Sequence, residues 1–194
     1  MNRAADVAVA GLGLALAGPV LAAAALAIKL DDGGPVLFRQ TRVGKDGKDF
    51  DLVKLRSMTV GAEHVGAGFA VDQGDARITR VGRVLRRLSV DELPQLWNVL
   101  RGDMSVIGPR PTLRYQVDRY TDRQRRRLEV RPGLTGLAQV NGRATLAWDD
   151  RIELDVWYVD NRSPLVDLKI LLRTPLALFG GTYRGPSGGW RPDR

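Results

Sequence analysis

Two adjacent carboxylates, Asp91 and Glu92, stand where a basic stretch, Leu85-Arg86-Arg87-Leu88, gives way to the apolar run Leu93-Pro94-Gln95-Leu96-Trp97-Asn98-Val99-Leu100. Ser89-x-x-Glu92 has the spelling of a capping box with Ser89 as N-cap. That spelling predicts Asp91 in the first turn of a helix, where unpaired N–H groups and the macrodipole favour negative charge. A carboxylate held close to cations suits a phosphate-bearing substrate or a metal ion, although an isolated S-x-x-E more often serves only to cap a helix. Gly108-Pro109-Arg110-Pro111 sets an arginine between two prolines that each fix their own φ, and Pro111 drives Arg110 towards extended backbone. A guanidinium on so rigid a turn suits bidentate recognition of phosphate. Asn141-Gly142-Arg143 follows a predicted short strand and brings another candidate phosphate ligand.

Composition narrows the chemistry. With no cysteine in 194 residues, disulfides and thiolate nucleophiles are excluded. The single histidine, His64, rules out a histidine-cluster metal site, and a Ser-His triad would rest on that one residue in a Gly-rich loop. Any catalysis is left to carboxylates and Lys/Arg, with or without a hard metal ion held by oxygen ligands. The net charge of +8 lies entirely beyond residue 28, because Arg3 and Asp6 cancel before it. Such a body is drawn to nucleic acid, anionic lipid or phosphorylated substrates.

The elements that must position these groups follow from periodicity. Val7–Ile28 is an uncharged run of 22 residues, about 33 Å as a helix and enough for a bilayer core of about 30 Å. A signal peptide competes, since Ala23-x-Ala25 and Ala25-x-Ala27 resemble cleavage sites, but the apolar run is long and the residues before it carry no net charge. Gly18-Pro19 near its middle predicts a break or kink, so a kinked span and a re-entrant hairpin both fit.

Val36–Val43 and Asp49–Arg56 read as a β-hairpin around Gly44-Lys45-Asp46-Gly47-Lys48. Asp49-Phe50-Asp51, a D-x-D spelling at the hairpin tip, reads as a solvated face. Gly61–Gly74 is a small-residue loop without any phosphate-loop or dinucleotide spelling. Ile78–Leu88 has helical period, with Ile78, Val81, Leu85 and Leu88 on one stripe and arginines off it; it suits the membrane interface or a core-packed site. Leu93-Pro94 either follows the cap or opens a fresh helix with Pro94 first. Thr112–Val130 reads as one polar helix ending in an Arg-rich run that is solvated or faces lipid headgroups, and Arg131–Gly136 as a turn before a strand at Leu137–Val140. Helices are predicted over Trp148–Asn161 and Leu165–Phe179, the second interrupted at Pro175, before a frayed Gly/Pro/Arg-rich end.

The run from Asp91 to Leu100, continued by Arg101-Gly102-Asp103-Met104-Ser105 and Ile107–Pro111, closely resembles the bacterial sugar transferases, the monotopic polyprenyl-phosphate phosphoglycosyl transferases. Pro35-Val36-Leu37-Phe38-Arg39-Gln40-x-Arg42-Val43-Gly44 and Lys54-Leu55-Arg56-Ser57-Met58 extend the likeness, which covers the chain to about Arg173. It implies an α+β fold: a re-entrant membrane helix-hairpin over 1–30, a catalytic domain over 31–179 with a small sheet and amphipathic interfacial helices, and a tail over 180–194. It further implies transfer of a phosphosugar from a UDP-sugar to polyprenyl phosphate, with loss of UMP, at the cytoplasmic face of the bacterial inner membrane. A polyprenyl diphosphosugar so formed begins a surface glycan.

Asp91 takes the position of the family's nucleophile, Glu92 completes the dyad, and Mg²⁺ is expected beside Asp91. Lys54, Arg56, Arg86, Arg110 and Arg143 lie in matched motifs as substrate-binding cations, with Arg86 towards the lipid phosphate and Arg110 towards the nucleotide diphosphate. Some members carry transmembrane helices ahead of this domain; here the chain begins at the anchor, as in a minimal catalytic unit. Membrane lipid is an expected partner, nucleic acid is not, and a homodimer is allowed. Two other readings compete: a membrane-tethered basic polyanion-binding module, short of aromatic stacking residues, and a scaffold in which the dyad only caps a helix.

Overall fold

The computed structural model describes residues 2–62, 75–142 and 146–179. The apolar N-terminus forms one helix, α1 (Arg3–Asp32), opened by Asn2, whose side chain accepts from the Ala5 N–H, and closed by Gly33 in the left-handed conformation. Helical assignment runs unbroken through Pro19, so the segment forms one helix of 30 residues where two arms were expected. Among the described residues it is the one helix long and apolar enough to cross a membrane.

Small side chains decide how α1 packs. Asp6, Ala10, Ala17, Ala24 and Ile28 are its buried residues, spaced by four or seven and so on one face, while Leu12, Leu16, Leu26 and Leu30 point outward. Both ends are fastened to the same body. At the start, Arg3 donates to the Val99 and Leu100 carbonyls, and buried Asp6 accepts from the Ser105 hydroxyl at 2.8 Å and the Val106 N–H at 2.9 Å. At the finish, Asp32 pairs with Arg56, and Asp31 accepts from the Val81 N–H at 3.1 Å.

The predicted hairpin is present as β1 (Leu37–Val43) and β2 (Asp49–Leu55), paired Leu37 to Leu55 through Val43 to Asp49. Asp49 and Asp51 are exposed and accept from Arg114 and Thr41, as a solvated face requires. The Ile78–Leu88 segment shortens to α2 (Arg80–Arg87), capped by the Thr79 hydroxyl; Leu85 is buried, whereas Leu88 is exposed. After the dyad come α3 (Gln95–Arg101), with Pro94 at its N-cap, and β3 (Ser105–Ile107).

The next three expectations need correction. Thr112–Val130 is not one helix but α4 (Arg114–Val117), α5 (Asp122–Arg125) and a 3₁₀ turn over Arg126–Leu128. Thr121 restarts the chain with its own capping box to Gln124, a signal overlooked inside the polar run. The expected turn holds β4 (Gly133–Thr135), and the expected strand is α6 (Leu137–Val140). β3 and β4 pair in parallel, Ser105 to Gly133 and Ile107 to Thr135. The glycines explain why this pairing was hidden: a Cβ on Gly133 would lie 2.0 Å from the Gly108 nitrogen, and one on Gly136 2.2 Å from the Gly108 oxygen. Glycines in a strand read as a turn, yet here they let two backbones touch.

α7 (Trp148–Asn161) matches its prediction, and α8 (Pro164–Phe179) continues through Pro175 rather than stopping there. The main core joins α1, β2, α3, β3, α7 and α8 through Ala10, Leu52, Val99, Ile107, Tyr158 and Ile170. A second cluster (Val43, Val117, Tyr120, Ile152, Val156) and a third (Ala24, Ile28, Leu55, Leu85) flank it. The fold is therefore mixed helix with two small sheets. His64, Arg143, most of the Gly61–Gly74 loop and the tail from Gly180 lie outside the described residues.

Candidate active site

The dyad is not in a capping box. Ser89 takes the left-handed conformation (φ 56°, ψ 21°) and its side chain caps nothing. Its N–H instead bonds the Arg86 carbonyl, ending α2, and the chain turns back through a 3₁₀ turn over Val90–Glu92. A non-glycine residue at positive φ costs about 1–2 kcal/mol, and such strain is often stored next to functional groups. The tight turn sends two neighbouring carboxylates to different surroundings.

Glu92 is fully engaged. Lys54 Nζ donates to its Oε1 at 3.2 Å, and the Arg110 fork reaches both oxygens, with Nη1 to Oε2 at 3.3 Å. Burial works to raise the Glu92 carboxyl, but Arg110 and Lys54 outweigh it and hold it well below the usual range. Lys54 is lowered by its own burial, opposed by the Glu92 charge. Asp91 is only 6% exposed, yet its side chain makes no hydrogen bond or ion pair among the described residues. Burial raises its pKa, the neighbouring Glu92 charge adds to the rise, and Lys54 and Arg86 oppose it. The result is one carboxylate fixed as an anion and a second left basic and unbonded.

Both face a cavity of about 930 Å³, lined also by Arg42, Lys54, Arg86, Arg110 and Arg151. The Arg110 turn is braced from beneath. Buried Arg127 donates to the Arg110 carbonyl at 2.9 Å, pairs with Asp155, and reaches the Tyr120 hydroxyl, which in turn donates to Thr112 Oγ1 at 3.0 Å. Residues on either side of Pro111 are thus tied to one guanidinium. This corrects the expectation that the whole Arg123–Arg127 run is solvated: Arg123 and Arg126 do pair on the surface with Glu153 and Asp160, but Arg127 is a core residue.

Of the sequence-derived site residues, the structure brings together Asp91, Glu92, Lys54, Arg86 and Arg110; Arg143 is outside the described residues. Arg56 touches the cavity wall, but its nitrogens are occupied by both Asp32 oxygens and the Pro35 and Met58 carbonyls. It brackets α1 to β2 and is not a cation held open for substrate, a correction that follows from the carboxylate at the end of α1. Sequence reasoning missed Arg42 and Arg151. Arg42 stood inside a quoted motif and alternates with Gln40 and Phe38 on the Lys54 face of the hairpin, a signal that period-two reading could have used. Arg151 sits one turn into α7 with no local pattern to mark it.

No group of three or more metal-ligating side chains occurs among the described residues. Mg²⁺ needs no such group, being commonly held by one or two carboxylates together with substrate phosphates. The unbonded oxygens of Asp91 fit that pattern; those of Glu92, already holding Lys54 and Arg110, do not.

Comparison with known proteins gives the same direction. Residues 1–181 match the family described as Bacterial sugar transferase. An uncharacterized sugar transferase, EpsL, of Bacillus subtilis is 50% identical over 147 residues, covering 76% of this chain and 71% of that protein. A UDP-glucose:undecaprenyl-phosphate glucose-1-phosphate transferase of Caulobacter vibrioides is 49% identical over 186 residues, covering 92% and 69%. A UDP-N-acetylgalactosamine-undecaprenyl-phosphate N-acetylgalactosaminephosphotransferase of Aeromonas hydrophila is 46% identical over 188 residues, covering 93% of this chain but 44% of its own length.

Proposed function

Because the chain belongs to the bacterial sugar transferase family, we propose that it moves a phosphosugar from a UDP-sugar to polyprenyl (undecaprenyl) phosphate, releasing UMP, by way of a covalent aspartyl-phosphosugar on Asp91. The observation that carries this reading is the asymmetry of the dyad, in which Glu92 is bonded to Lys54 and Arg110 while Asp91 is buried, basic and unbonded. A nucleophilic carboxylate needs an oxygen lone pair that no donor already occupies.

In the first half-reaction an Asp91 oxygen forms a bond to the sugar-side phosphorus. The bond from that phosphorus to the bridging oxygen breaks, and UMP leaves with the electron pair. In the second half a lipid phosphate oxygen attacks the same phosphorus and frees Asp91 as carboxylate. Attack by an anion on a diphosphate needs the charge neutralised. Arg110, aimed by its braced turn, and Lys54 supply positive charge on the diphosphate side. Arg86, which acts on Asp91 from the α2 side and makes no ion pair among the described residues, suits the acceptor phosphate. Arg143 keeps the family's substrate-binding role in this proposal. Bound Mg²⁺, held by Asp91, would add positive charge to the diphosphate oxygens.

The membrane placement rests on α1. Fastened to one body at Arg3 and Asp6 and again at Asp31 and Asp32, the single helix keeps both ends on that body and turns Leu12, Leu16, Leu26 and Leu30 outward, which suits a monotopic anchor at the cytoplasmic face better than a span. Exposed Leu165, Leu168, Leu172 and Leu176 on α8 supply a second apolar surface for lipid.

Detergent-solubilised protein given a panel of UDP-sugars, Mg²⁺ and polyprenyl phosphate should release UMP and form a lipid diphosphosugar with at least one donor. Absence of UMP release across the panel would leave a scaffold or polyanion-binding role as the better account.

A further inference from the structure

We infer that Arg42 binds the nucleotide-side phosphate of the donor and stabilises the UMP leaving group in the first half-reaction; this rests on the transferase reading above. The strand register comes first. Phe38 opposes Lys54, Gln40 opposes Leu52 and Arg42 opposes Phe50, so Phe38, Gln40, Arg42 and Lys54 share one face of the hairpin. That face lines the cavity containing Asp91 and Arg110. Arg42 lies four residues from Phe38 along β1, about 13 Å from the Lys54 position. Its long side chain therefore extends the row of cations away from the nucleophile.

Mutual electrostatic effects give the same order. Asp91 is acted on by Glu92, Lys54, Arg86 and Arg110, whereas Arg42 is acted on by Arg110, Tyr115 and Glu92. The row runs from Arg86, past Asp91, Lys54 and Arg110, to Arg42. A diphosphate with its sugar-side phosphorus at Asp91 and the acceptor near Arg86 places its nucleotide-side phosphate towards Arg110 and Arg42.

Arg42 is also uncompensated. One nitrogen donates to the Gln40 amide oxygen, its Nε is buried without a partner, and no carboxylate pairs with it among the described residues. Glu92, the one carboxylate that acts on it among the described residues, is already shared by Lys54 and Arg110. Burial and then the adjacent Arg110 lower its pKa to about 10, so it stays charged at neutral pH beside a like charge. A desolvated cation next to another cation is unfavourable until an anion enters between them. When the bridging bond breaks, the new negative charge develops on the leaving phosphate, where an N–H donor gains most.

The test compares wild type, Arg42→Gln and Arg42→Lys in detergent. Without lipid acceptor, R42Q should release UMP about 10²-fold more slowly than wild type, with R42K in between because it keeps charge but loses the planar fork. UMP should also bind R42Q roughly tenfold more weakly by direct titration. Discharge of a preformed phosphosugar adduct by polyprenyl phosphate should match wild type, since UMP has already left. UMP release and UMP affinity equal to wild type in R42Q would overturn the inference, as would equal slowing of both half-reactions. UMP titration separates this from failure of the transferase reading. If wild type binds UMP without turning over any donor, a weaker R42Q still supports the phosphate site, and equal binding overturns it. Should R42Q unfold, R42K carries the same comparison, with thermal unfolding as its control.

Discussion

Arg127 and Arg110 belong to one connected network, yet their charges are handled in opposite ways. Arg127 is buried and paired with a single carboxylate, Asp155, with Tyr120 and the Arg110 carbonyl taking other N–H groups. Arg110 shares Glu92 with Lys54, while Arg42 and Arg86 stand along the same cavity. One region balances its charge within itself, Arg127 against Asp155. The other has more cations than carboxylates and an acid, Asp91, bonded to none of them. The difference separates arginines that hold the fold from arginines that await an anion, and Arg56 with Asp32 falls on the first side.

That division can be broken by substitution. The largest stability effect is expected at Arg127. Arg127→Met leaves Asp155 buried without its partner, which costs about 3–5 kcal/mol, read as a lower denaturation midpoint. Adding Asp155→Leu should restore much of the loss, because a buried pair replaced by apolar groups is often close to neutral. Arg110→Lys should do the reverse: turnover falls about 10²-fold while thermal unfolding barely moves, because its ion pair is half-exposed. Near-normal turnover would place Arg110 among the fold-holding arginines. Arg56→Met should lower stability by about 1–3 kcal/mol and leave turnover per folded molecule near wild type; a fall in turnover would return Arg56 to the substrate-binding set.

The smallest effect has the opposite sign. Folding raises the Asp91 pKa through burial and the Glu92 charge, so the folded chain holds that proton more tightly than the unfolded one. The favourable contribution is therefore complete below the unfolded carboxyl value of about 3.9 and is lost as pH climbs through the raised folded value. Asp91→Asn should then raise Tm at neutral pH by roughly 2–4 °C, equivalent to about 1 kcal/mol, and the gain should vanish near pH 4. A lower Tm at neutral pH would mean that the Asp91 charge is stabilising and that its surroundings are not as unfavourable as the geometry indicates.

Much of this was legible in the chain, and what was not has physical causes. The hairpin, α7 and the apolar N-terminal helix follow from period and length because their patterns are local. The dyad was found for its residue types but in the wrong local structure: a left-handed serine leaves no trace in a spelling that also fits a cap. Gly133 read as a turn residue because the partner that needs it, Gly108, lies far away in sequence. Arg56 could not be told from a substrate-binding arginine, nor Arg127 from a surface one, because Asp32 and Asp155 are distant in the chain. Which carboxylate meets which guanidinium is a property of the tertiary fold, so a basic motif identifies candidates without sorting them.

The central claim is that the free carboxylate of the pair does the chemistry. Protein incubated with its UDP-sugar and Mg²⁺, but no lipid acceptor, should release one equivalent of UMP and then stop. Intact-mass and peptide analysis should find one phosphosugar on Asp91, discharged when polyprenyl phosphate is added, and Asp91→Asn should give neither burst nor adduct. UMP that appears only when lipid is present, with no mass gained by the protein at any time, would contradict the account and reduce Asp91 to a group that helps position the donor.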